Sequence, residues 1–579
     1  MKDTFKSLNN FLTIFAKEKK LKYYYFIFFN LFITLLEMLS LGILFPFLSL
    51  IIDPQFISKI NSYDIKFVNQ LSYNEVLILL LILLVILFIL KNIIIGFLSW
   101  DQIKYSMYLQ NNVATSLLKK YIFNNYLFHK ANDSSKLIRV INVDSFVVIT
   151  GFIIPSFFFF TELFIFLGII LLLAFYEING LFIAFFFFII SFLIYKKFSK
   201  KLKEHGTIRQ KNETLKIKYA KSIFEGIKEI LFYRKQKFFF NLYKDINLSV
   251  NKSISFLEGV KLLPRLFLEV FGVIAFSLVM IFLIFSGKDL VKLVPLFGIY
   301  IVAGFKILPS LNRIISSAQQ MRFNKVYLES LISEYSKNTD YIKFDIKETT
   351  KQNNLCFNEK IELKNISFNY KSNNRGNNVL KNINLSIKKN SITALIGRSG
   401  SGKSTIVDIL LGLIQQDSGE IFVDGKRIDQ NVSKLKIGYV PQSNFLINDS
   451  IKRNVALGVK EVDIDLNKVN KAIELSRLIY DLENNGLDIN SMVGEKGSQI
   501  SGGQAQRIAI ARSLYDDPEI IIFDEATSSL DIETEKEILD NLLVLKKTKT
   551  VLLITHNDRI LKYCDKVISL ENNKIINKI

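Results

Sequence analysis

The sequence has few cysteines and few histidines. Of its 579 residues, two are cysteine, Cys356 and Cys564, and three are histidine. Two cysteines far apart form neither a disulfide framework nor the ligand spacing of a structural metal site, and they suit a reducing cytoplasm. The first 20 residues also lack the apolar core of a signal peptide. We therefore expect the soluble part of the chain to lie in the cytoplasm.

Acidic residues are outnumbered by basic ones, which gives a formal net charge of +21. Such an excess can indicate nucleic-acid binding. However, Lys, Asn, Ile and Phe are all abundant, as an A/T-rich codon bias would produce, and membrane proteins concentrate Lys and Arg in cytoplasmic loops. We expect no nucleic-acid partner.

Apolar residues are concentrated before about residue 320, and the chain contains 51 phenylalanines. A bilayer-spanning helix needs roughly 20 apolar residues. Six stretches meet or approach this requirement, and the fourth is the shortest. They are residues 23–52, 76–96, 146–175, 181–195, 262–285 and 291–311. The sequence thus predicts an all-α polytopic membrane domain over residues 1–334.

The distribution of basic residues predicts the orientation of these spans. Lysines and arginines cluster before the first span, after the second and after the fourth, whereas the intervening connections carry little charge. The positive-inside rule then puts both termini in the cytoplasm of a bacterial inner membrane. The cytoplasmic segments 101–145 and 196–261 have a helical pattern, so we expect spans to continue past the membrane as long helices.

A short amphipathic segment precedes the first span. Phe5, Leu8, Leu12 and Phe15 recur at near-helical spacing among lysines. This pattern predicts a helix that either lies on the membrane surface or is simply solvated.

Several ionisable residues fall within or close to the predicted spans, where they are costly and therefore candidates for function. Glu37 and Glu162 lie about 15 residues into their spans, near the bilayer midplane at about 1.5 Å per residue. Lys91, Arg265 and Lys306 lie nearer the cytoplasmic ends. Two interpretations are open: the cations line a cavity that binds an anionic substrate, or the carboxylates pair with them and fix helix packing.

The sequence changes character after a polar linker over residues 335–354. Short β-rich runs alternate with helical segments, which indicates an α/β domain. A buried strand at 392–396 is followed at once by a complete phosphate-binding loop that opens a helix. The loop consists of Gly397, Arg398, Ser399, Gly400, Ser401, Gly402, Lys403, Ser404 and Thr405.

This loop carries a specific chemistry. Its glycines let backbone N–H groups close on phosphates at a helix N-terminus. Lys403 adds a positive charge toward the β- and γ-phosphates, and Ser404 offers a hydroxyl ligand to Mg²⁺. A second apolar strand at 520–523 ends in Asp524 and Glu525, which suit a Mg²⁺ ligand and a base for the attacking water. Together the two segments predict ATP and Mg²⁺ as cofactors.

The segment Ser501, Gly502, Gly503 and Gln504 is similar to the signature sequence of ABC ATPases, and residues 355–579 resemble one complete ABC nucleotide-binding domain. The resemblance implies roles for six further residues. They are an adenine-stacking Tyr370, a Q-loop Gln442 that senses Mg²⁺ and water, an X-loop Glu495, a catalytic Glu525, a D-loop Asp531 and a switch His556. The sequence departs from the family pattern at Ile500, where Leu is usual, and at Ala505, where Lys is common.

In this family ATP is bound between the phosphate loop of one subunit and the signature of another. Because the chain has one of each, the resemblance implies a homodimer with two equal sites. Six spans ahead of the ATPase resemble the exporter type of ABC transporter. The segments 263–269 and 308–315 are most similar to bacterial flippases of lipid-linked oligosaccharides.

Other functions remain open at this point. A drug, lipid or peptide exporter, which also moves an amphipathic substrate, fits the same architecture. An ATP-gated channel or regulator is a rival of another class, although the intact Glu525 favours hydrolysis. A nucleic-acid repair ATPase conflicts with the six spans.

Overall fold

The computed structural model of the chain divides into two compact units. One comprises residues 1–124 and 128–342, and the other comprises residues 125–127 and 343–579. The structure describes residues 2–52, 72–176, 179–285, 290–337, 357–370, 379–428, 435–484, 486–525, 535–536, 540, 543–571 and 574–578. Most of the predicted linker, as well as Cys356 and Asp531, therefore lies outside the described residues.

The first unit is built from helices, several of them close to 50 residues long. The helices up to the first long one are α1 (Lys2–Phe15), α2 (Lys20–Gly42), α3 (Leu44–Ile52) and α4 (Tyr73–Ile122). Short helices follow, namely α5 (Tyr126–Ala131, whose first two residues are assigned to the second unit), α6 (Ser134–Arg139) and α7 (Ser145–Val148), with π-helical turns at Val140–Asp144 and Ile149–Ile153. The remaining helices are α8 (Ile154–Tyr176), α9 (Asn179–Glu225), α10 (Ile227–Phe232), α11 (Gln236–Phe285) and α12 (Leu290–Ser336).

Three helical stretches among the described residues are long and apolar enough to cross a membrane. They are Lys20–Gly42, Tyr73–Ile122 and Ser134–Ala174. A helix is the form that a single apolar segment adopts in lipid, because it satisfies every backbone polar group internally. The helices α4, α9, α11 and α12 continue well beyond the predicted apolar spans. The number of spans and their orientation stay predictions.

The N-terminal helix α1 packs into the helical unit. Its apolar face, carried by Leu8, Phe11, Leu12 and Phe15, is buried in a cluster with residues of α2, α4, α8 and α12. The ring of Phe15 lies 4.9 Å from that of Tyr335. The expectation of a simply solvated helix therefore needs correction, because the helical bundle itself covers the apolar face. A position at the membrane surface stays a prediction.

The second unit contains two sheets. The antiparallel sheet has the order β2-β1-β4-β5, and the mostly parallel sheet has the order β10-β9-β3-β8-β7-β6. The first five strands are β1 (Lys360–Phe368), β2 (Leu380–Lys388), β3 (Ile392–Ile396), β4 (Ser418–Val423) and β5 (Lys426–Arg427). The others are β6 (Ile437–Val440), β7 (Ile520–Asp524), β8 (Thr550–Ile554), β9 (Lys566–Glu571) and β10 (Lys574–Lys578).

The helices of this unit surround the parallel sheet. They are α13 (Lys403–Leu410), α14 (Ile451–Val455), α15 (Leu466–Leu475), α16 (Leu478–Asn484), α17 (Gly502–Leu514) and α18 (Asp558–Leu561). Every residue of β7 and β8 is buried. Such continuous apolar strands are typical of parallel sheets covered on both faces.

The order of the parallel strands positions the candidate site. Strand β8 lies between β3 and β7, and all three run in the same direction. Their carboxyl ends therefore meet at one edge of the sheet, where open α/β sheets bind ligands. The phosphate loop follows β3, Glu525 follows β7 and His556 follows β8.

Candidate functional site

The phosphate loop joins β3 to α13 through glycines with positive φ. Gly397, Gly400 and Gly402 have φ of 154°, 80° and 104°. A Cβ on Gly402 would lie 2.7 Å from Leu380 Cδ2 and 3.1 Å from Val379 O. Glycine is therefore required at this position for both conformation and space. The loop turns its N–H groups into a concave nest that suits an anion.

Lys403 is the first residue of α13 and is buried. Its ammonium donates to Gly397 O at 2.7 Å and to Arg398 O at 3.2 Å, and it lies 3.2 Å from His556 Nε2. Burial lowers the pKa of Lys403, while the nearby Glu525 and Asp524 act in the opposite direction. The backbone carbonyls at the start of the phosphate loop thus hold the ammonium of Lys403.

The acidic pair stands at the end of β7. Asp524 is 8% exposed and accepts a hydrogen bond from the Tyr439 hydroxyl at 3.3 Å. Burial raises the pKa of Asp524, and the neighbouring Glu525 and Asp408 raise it further. A buried carboxylate with a raised pKa at a sheet edge gains from a cation, which fits Mg²⁺.

Glu525 lies in the left-handed region of backbone space, with φ of 52°. A residue other than glycine in this region costs about 1–3 kcal/mol, and such strain is frequent at functional sites. Its carboxylate accepts from Gln442 Nε2 at 2.6 Å, and its other oxygen lies 3.0 Å from His556 Nε2. Three residues that the sequence assigns to catalysis are thus connected side chain to side chain.

His556 uses one nitrogen for two contacts. Nε2 lies 3.2 Å from the Lys403 ammonium and 3.0 Å from a Glu525 oxygen. A protonated Nε2 donates to Glu525, whereas an unprotonated Nε2 accepts from Lys403. Whether Nε2 carries the proton therefore decides whether His556 hydrogen-bonds to Glu525 or to Lys403.

The remaining residues of the predicted nucleotide site lie around the same loop. Tyr370 Oη is 3.4 Å from Thr405 Oγ1, and its ring packs edge-on against Phe368 with centroids 4.9 Å apart. The Ser404 side chain is exposed beside the buried Lys403. This leaves the Ser404 hydroxyl accessible to a metal ion, as its predicted role requires.

The signature residues begin helix α17. Ser501 caps the helix: its Oγ accepts from Gln504 N at 3.2 Å, and its own N donates to Gln504 Oε1 at 2.8 Å. Gly502 has open space where a Cβ would stand. The helix N-terminus is thus preformed and unobstructed, which suits a phosphate. Glu495 lies in the short 3₁₀ turn Glu495–Gly497 ahead of it.

In the helical unit, Glu37 forms ion pairs with two lysines. Lys91 Nζ lies 2.8 Å from Glu37 Oε2 and 3.1 Å from Ser40 Oγ, and Lys306 Nζ lies 2.5 Å from Glu37 Oε1. Glu37 is 5% and Lys91 2% exposed. Two cations on one carboxylate leave this cluster with one surplus positive charge.

The other charged residues singled out in the sequence are paired as well. Glu162 accepts from Ser310 Oγ at 2.7 Å and from Arg313 Nη1 at 2.6 Å. Arg265 pairs with Glu269 one turn along the same helix at 2.8 Å, and both are exposed. Of the two interpretations left open by the sequence, these ion pairs favour the one in which carboxylates pair with the cations, and the buried Lys91 needs such a compensating charge.

Sequence reasoning missed the polar groups that complete these clusters, among them Ser40, Ser310 and Tyr439. Serines in apolar helices are common, so Ser40 and Ser310 gave no separate signal. Tyr439 stands three residues before Gln442 on β6, which pairs directly with β7. The alternation of side chains along these paired strands could have placed it beside Asp524.

A comparison with known protein families matches part of the second unit. A family model described as ABC transporter matches residues 380–528. The leukotoxin translocation ATP-binding protein LktB of Mannheimia glucosida is 40% identical over 219 residues, which are 37% of this chain and 30% of that protein. The alpha-hemolysin translocation ATP-binding protein HlyB of Escherichia coli O157:H7 is 41% identical over 224 residues, with the same coverage. The chain thus matches less than a third of the length of these relatives.

The fold extends this likeness to nearly the whole chain. A solved bacterial Atm1-family ABC exporter with ATP bound superposes with a TM-score of 0.71 at 18% identity, covering 96% of this chain and 94% of that one. The chain therefore has the ABC exporter fold, with a mostly helical N-terminal part and a C-terminal α/β ABC domain of the kind that binds ATP with Mg²⁺ and hydrolyses it. The predicted fold class is confirmed.

Proposed function

We propose that the chain is one subunit of a homodimeric, ATP-driven exporter of a bacterial inner membrane. The observation that carries this proposal is the convergence of Lys403, His556, Glu525 and Gln442 at one sheet edge. These side chains come from four separate segments, and each has a function in phosphoryl transfer.

Each residue of the site has a defined task in hydrolysis. The loop N–H groups and Lys403 hold the phosphates, and Ser404, Asp524 and Gln442 are the candidate Mg²⁺ ligands. Glu525, fixed by Gln442, accepts a proton from the attacking water. His556 contacts either Lys403 or Glu525, so it can respond to charge at the γ-phosphate. Hydrolysis by the purified chain in lipid nanodiscs, dependent on Mg²⁺, tests this proposal, and its complete absence would refute it.

The homodimer is the simplest way to complete the site. The chain contains one phosphate loop and one signature segment, and in the ABC family these bind ATP from opposite sides. The exposed N-terminus of α17, with open space at Gly502, supports its use by a partner subunit. Asp531 is proposed to lie at the same interface.

For the substrate, we propose a lipid-linked oligosaccharide that moves from the cytoplasmic to the outer leaflet. The support is the resemblance of segments 263–269 and 308–315 to such flippases, together with the surplus positive charge on the Glu37 cluster. A pyrophosphate headgroup is anionic, and its glycan cannot cross hydrocarbon unaided. Of the two lysines on Glu37, Lys306, whose side chain is 38% exposed against 3% for Lys91, is the better placed to meet an anion.

A second candidate substrate is a protein or peptide. The names of the relatives describe translocation of leukotoxin and alpha-hemolysin, and the matches to this chain cover 219 and 224 residues. Sealed proteoliposomes separate the two candidates. Movement of a fluorescent polyprenyl-pyrophosphate glycan on ATP addition supports the flippase, whereas protection of a candidate polypeptide from external protease supports the alternative.

A further inference from the structure

The loop that follows Gln442 is held by side chains outside it. Residues 441–450 connect β6 to α14, and 441–449 form neither a helix nor a strand. Gln442 itself is exposed, and its Nε2 donates a hydrogen bond of 2.6 Å to Glu525. A loop of this kind keeps one conformation only if its backbone groups find partners elsewhere.

Asn454 on α14 supplies several of these partners. It is fully buried, and its Oδ1 accepts from Ile447 N at 3.0 Å. Its Nδ2 donates to Ile447 O at 3.0 Å and to Ser450 O at 3.1 Å. One amide therefore satisfies both backbone groups of Ile447, which fixes the middle of the loop.

Arg512 connects the same loop to the signature helix. It stands in the last turn of α17, and its Nη1 donates to Phe445 O at 2.7 Å. Its Nε donates to Asn454 O at 2.7 Å, and its Nη2 donates to Asn454 Oδ1 at 3.1 Å. All three acceptors are neutral oxygens, so the guanidinium acts here as a planar, rigid set of donors.

We propose that Arg512 and Asn454 form a clamp that positions the loop carrying Gln442, and through it Glu525, relative to the signature helix. The inference rests on the proposed ATP hydrolysis, for which it assigns two positioning residues. The clamp fixes the chain at Phe445, three residues after Gln442. Any movement of α17 is thus transmitted to Gln442, which holds the carboxylate of Glu525.

The clamp acts on hydrolysis and not on nucleotide binding. Its contacts lie in the loop 445–450 and in α14, whereas ATP is held by the phosphate loop and Tyr370 in the proposed function. Loosening the loop displaces Gln442 from Glu525 and leaves the phosphate loop, Tyr370 and the other two candidate Mg²⁺ ligands, Ser404 and Asp524, in place. The expected signature is a lower kcat at unchanged KM.

The test replaces Arg512 with lysine in the full chain in nanodiscs. Lysine keeps the charge but lacks the fork that reaches Phe445 and Asn454 together. We expect kcat to fall about tenfold while the KM for ATP stays within about twofold. In hydrogen exchange, peptides covering 443–450 should lose protection, because Ile447 N and its neighbours open to water.

Arg507→Lys is the matched control. Arg507 lies on the same helix and also uses its guanidinium, but it pairs with Asp481 of α16. It should leave kcat within about twofold and the 443–450 peptides protected. Arg512→Gln is measured in parallel and retains a planar donor. It provides the test if the lysine variant does not fold.

Three results would overturn the clamp: an unchanged kcat in folded Arg512 variants, a rise in KM equal to the fall in kcat, or equal losses in Arg507→Lys. If the unmodified chain does not hydrolyse ATP, the proposed function fails. Hydrogen exchange alone then tests whether Arg512 and Asn454 hold the loop. Protection of 443–450 that survives Arg512→Lys would then refute it.

Discussion

Gln442 donates from Nε2 to Oε2 of Glu525 at 2.6 Å. The other oxygen of Glu525 faces His556 Nε2 at 3.0 Å, so both oxygens of the carboxylate have a side-chain neighbour. A base held on both sides has a fixed direction toward a reacting water, and this fixed geometry contributes to catalysis. The backbone strain at Glu525 is consistent with a residue placed for function.

Replacing Glu525 by glutamine should abolish turnover and preserve binding. The amide cannot accept the proton of water, and general-base catalysis contributes about 10²–10⁴-fold to a rate. The loop, Lys403 and Ser404 are untouched, so ATP affinity should remain. Steady-state hydrolysis and equilibrium binding of a fluorescent ATP analogue measure the two properties separately. Turnover within a few-fold of the unmodified chain would remove Glu525 from this role.

Mixed dimers should reveal composite sites. A chain with Lys403→Ala lacks the phosphate-binding cation, and one with Ser501→Arg lacks a competent signature. In a heterodimer of the two, one site collects both defects and the other is intact, so activity should exceed that of either homodimer. Tandem-tagged purification followed by an ATPase assay provides the measurement. Full-rate hydrolysis by monomers would contradict the shared-site arrangement.

Lys91→Met should destabilise the helical unit, whereas Arg265→Met should not. Removing Lys91 takes one partner from the buried Glu37 while Lys306 still pairs with it, and a buried acceptor that loses its donor costs about 1–3 kcal/mol. The Arg265–Glu269 pair is exposed, with side chains 70% and 54% accessible, and such pairs contribute about 0–1 kcal/mol. Thermal inactivation in nanodiscs compares the two variants. Equal stability of both, with transport lost in each, would favour a direct substrate role.

Cys564 should react slowly with alkylating reagents in the folded protein. Burial, reinforced by Asp565, raises the pKa of its thiol to about 11. At pH 8 the reactive thiolate is therefore rarer than in the unfolded chain, where the pKa is about 8.5. Iodoacetamide labelling of a Cys356→Ser variant, before and after denaturation, checks this. Labelling as fast in the native as in the denatured protein would contradict the partial burial of Cys564.

The ATPase half was the more predictable part of the chain. The phosphate loop had to follow a buried strand and open a helix, because its function depends on backbone N–H groups at a helix N-terminus. That local requirement is visible in the sequence, and α13 begins at Lys403 as expected. The same holds for Asp524, which ends the fully buried strand β7.

The charged residues of the helical half were harder to predict. The sequence showed that Glu37, Lys91 and Lys306 fall in or near apolar spans. Along the chain, however, Lys91 is 54 positions and Lys306 is 269 positions away from Glu37. Whether they pair depends on which helix faces are adjacent. Periodicity identifies the faces of single helices and does not choose their neighbours.

By itself, then, the sequence determined the order of the elements, the phosphate loop, the acidic strand end and the signature segment, because each depends on residues close together in the chain. Only the tertiary structure decided that Glu37 bridges two lysines, that His556 faces both Lys403 and Glu525, and that Arg512 holds the loop after Gln442. These contacts join distant segments. Their geometry follows from the packing of helices and the order of strands, which no local pattern encodes.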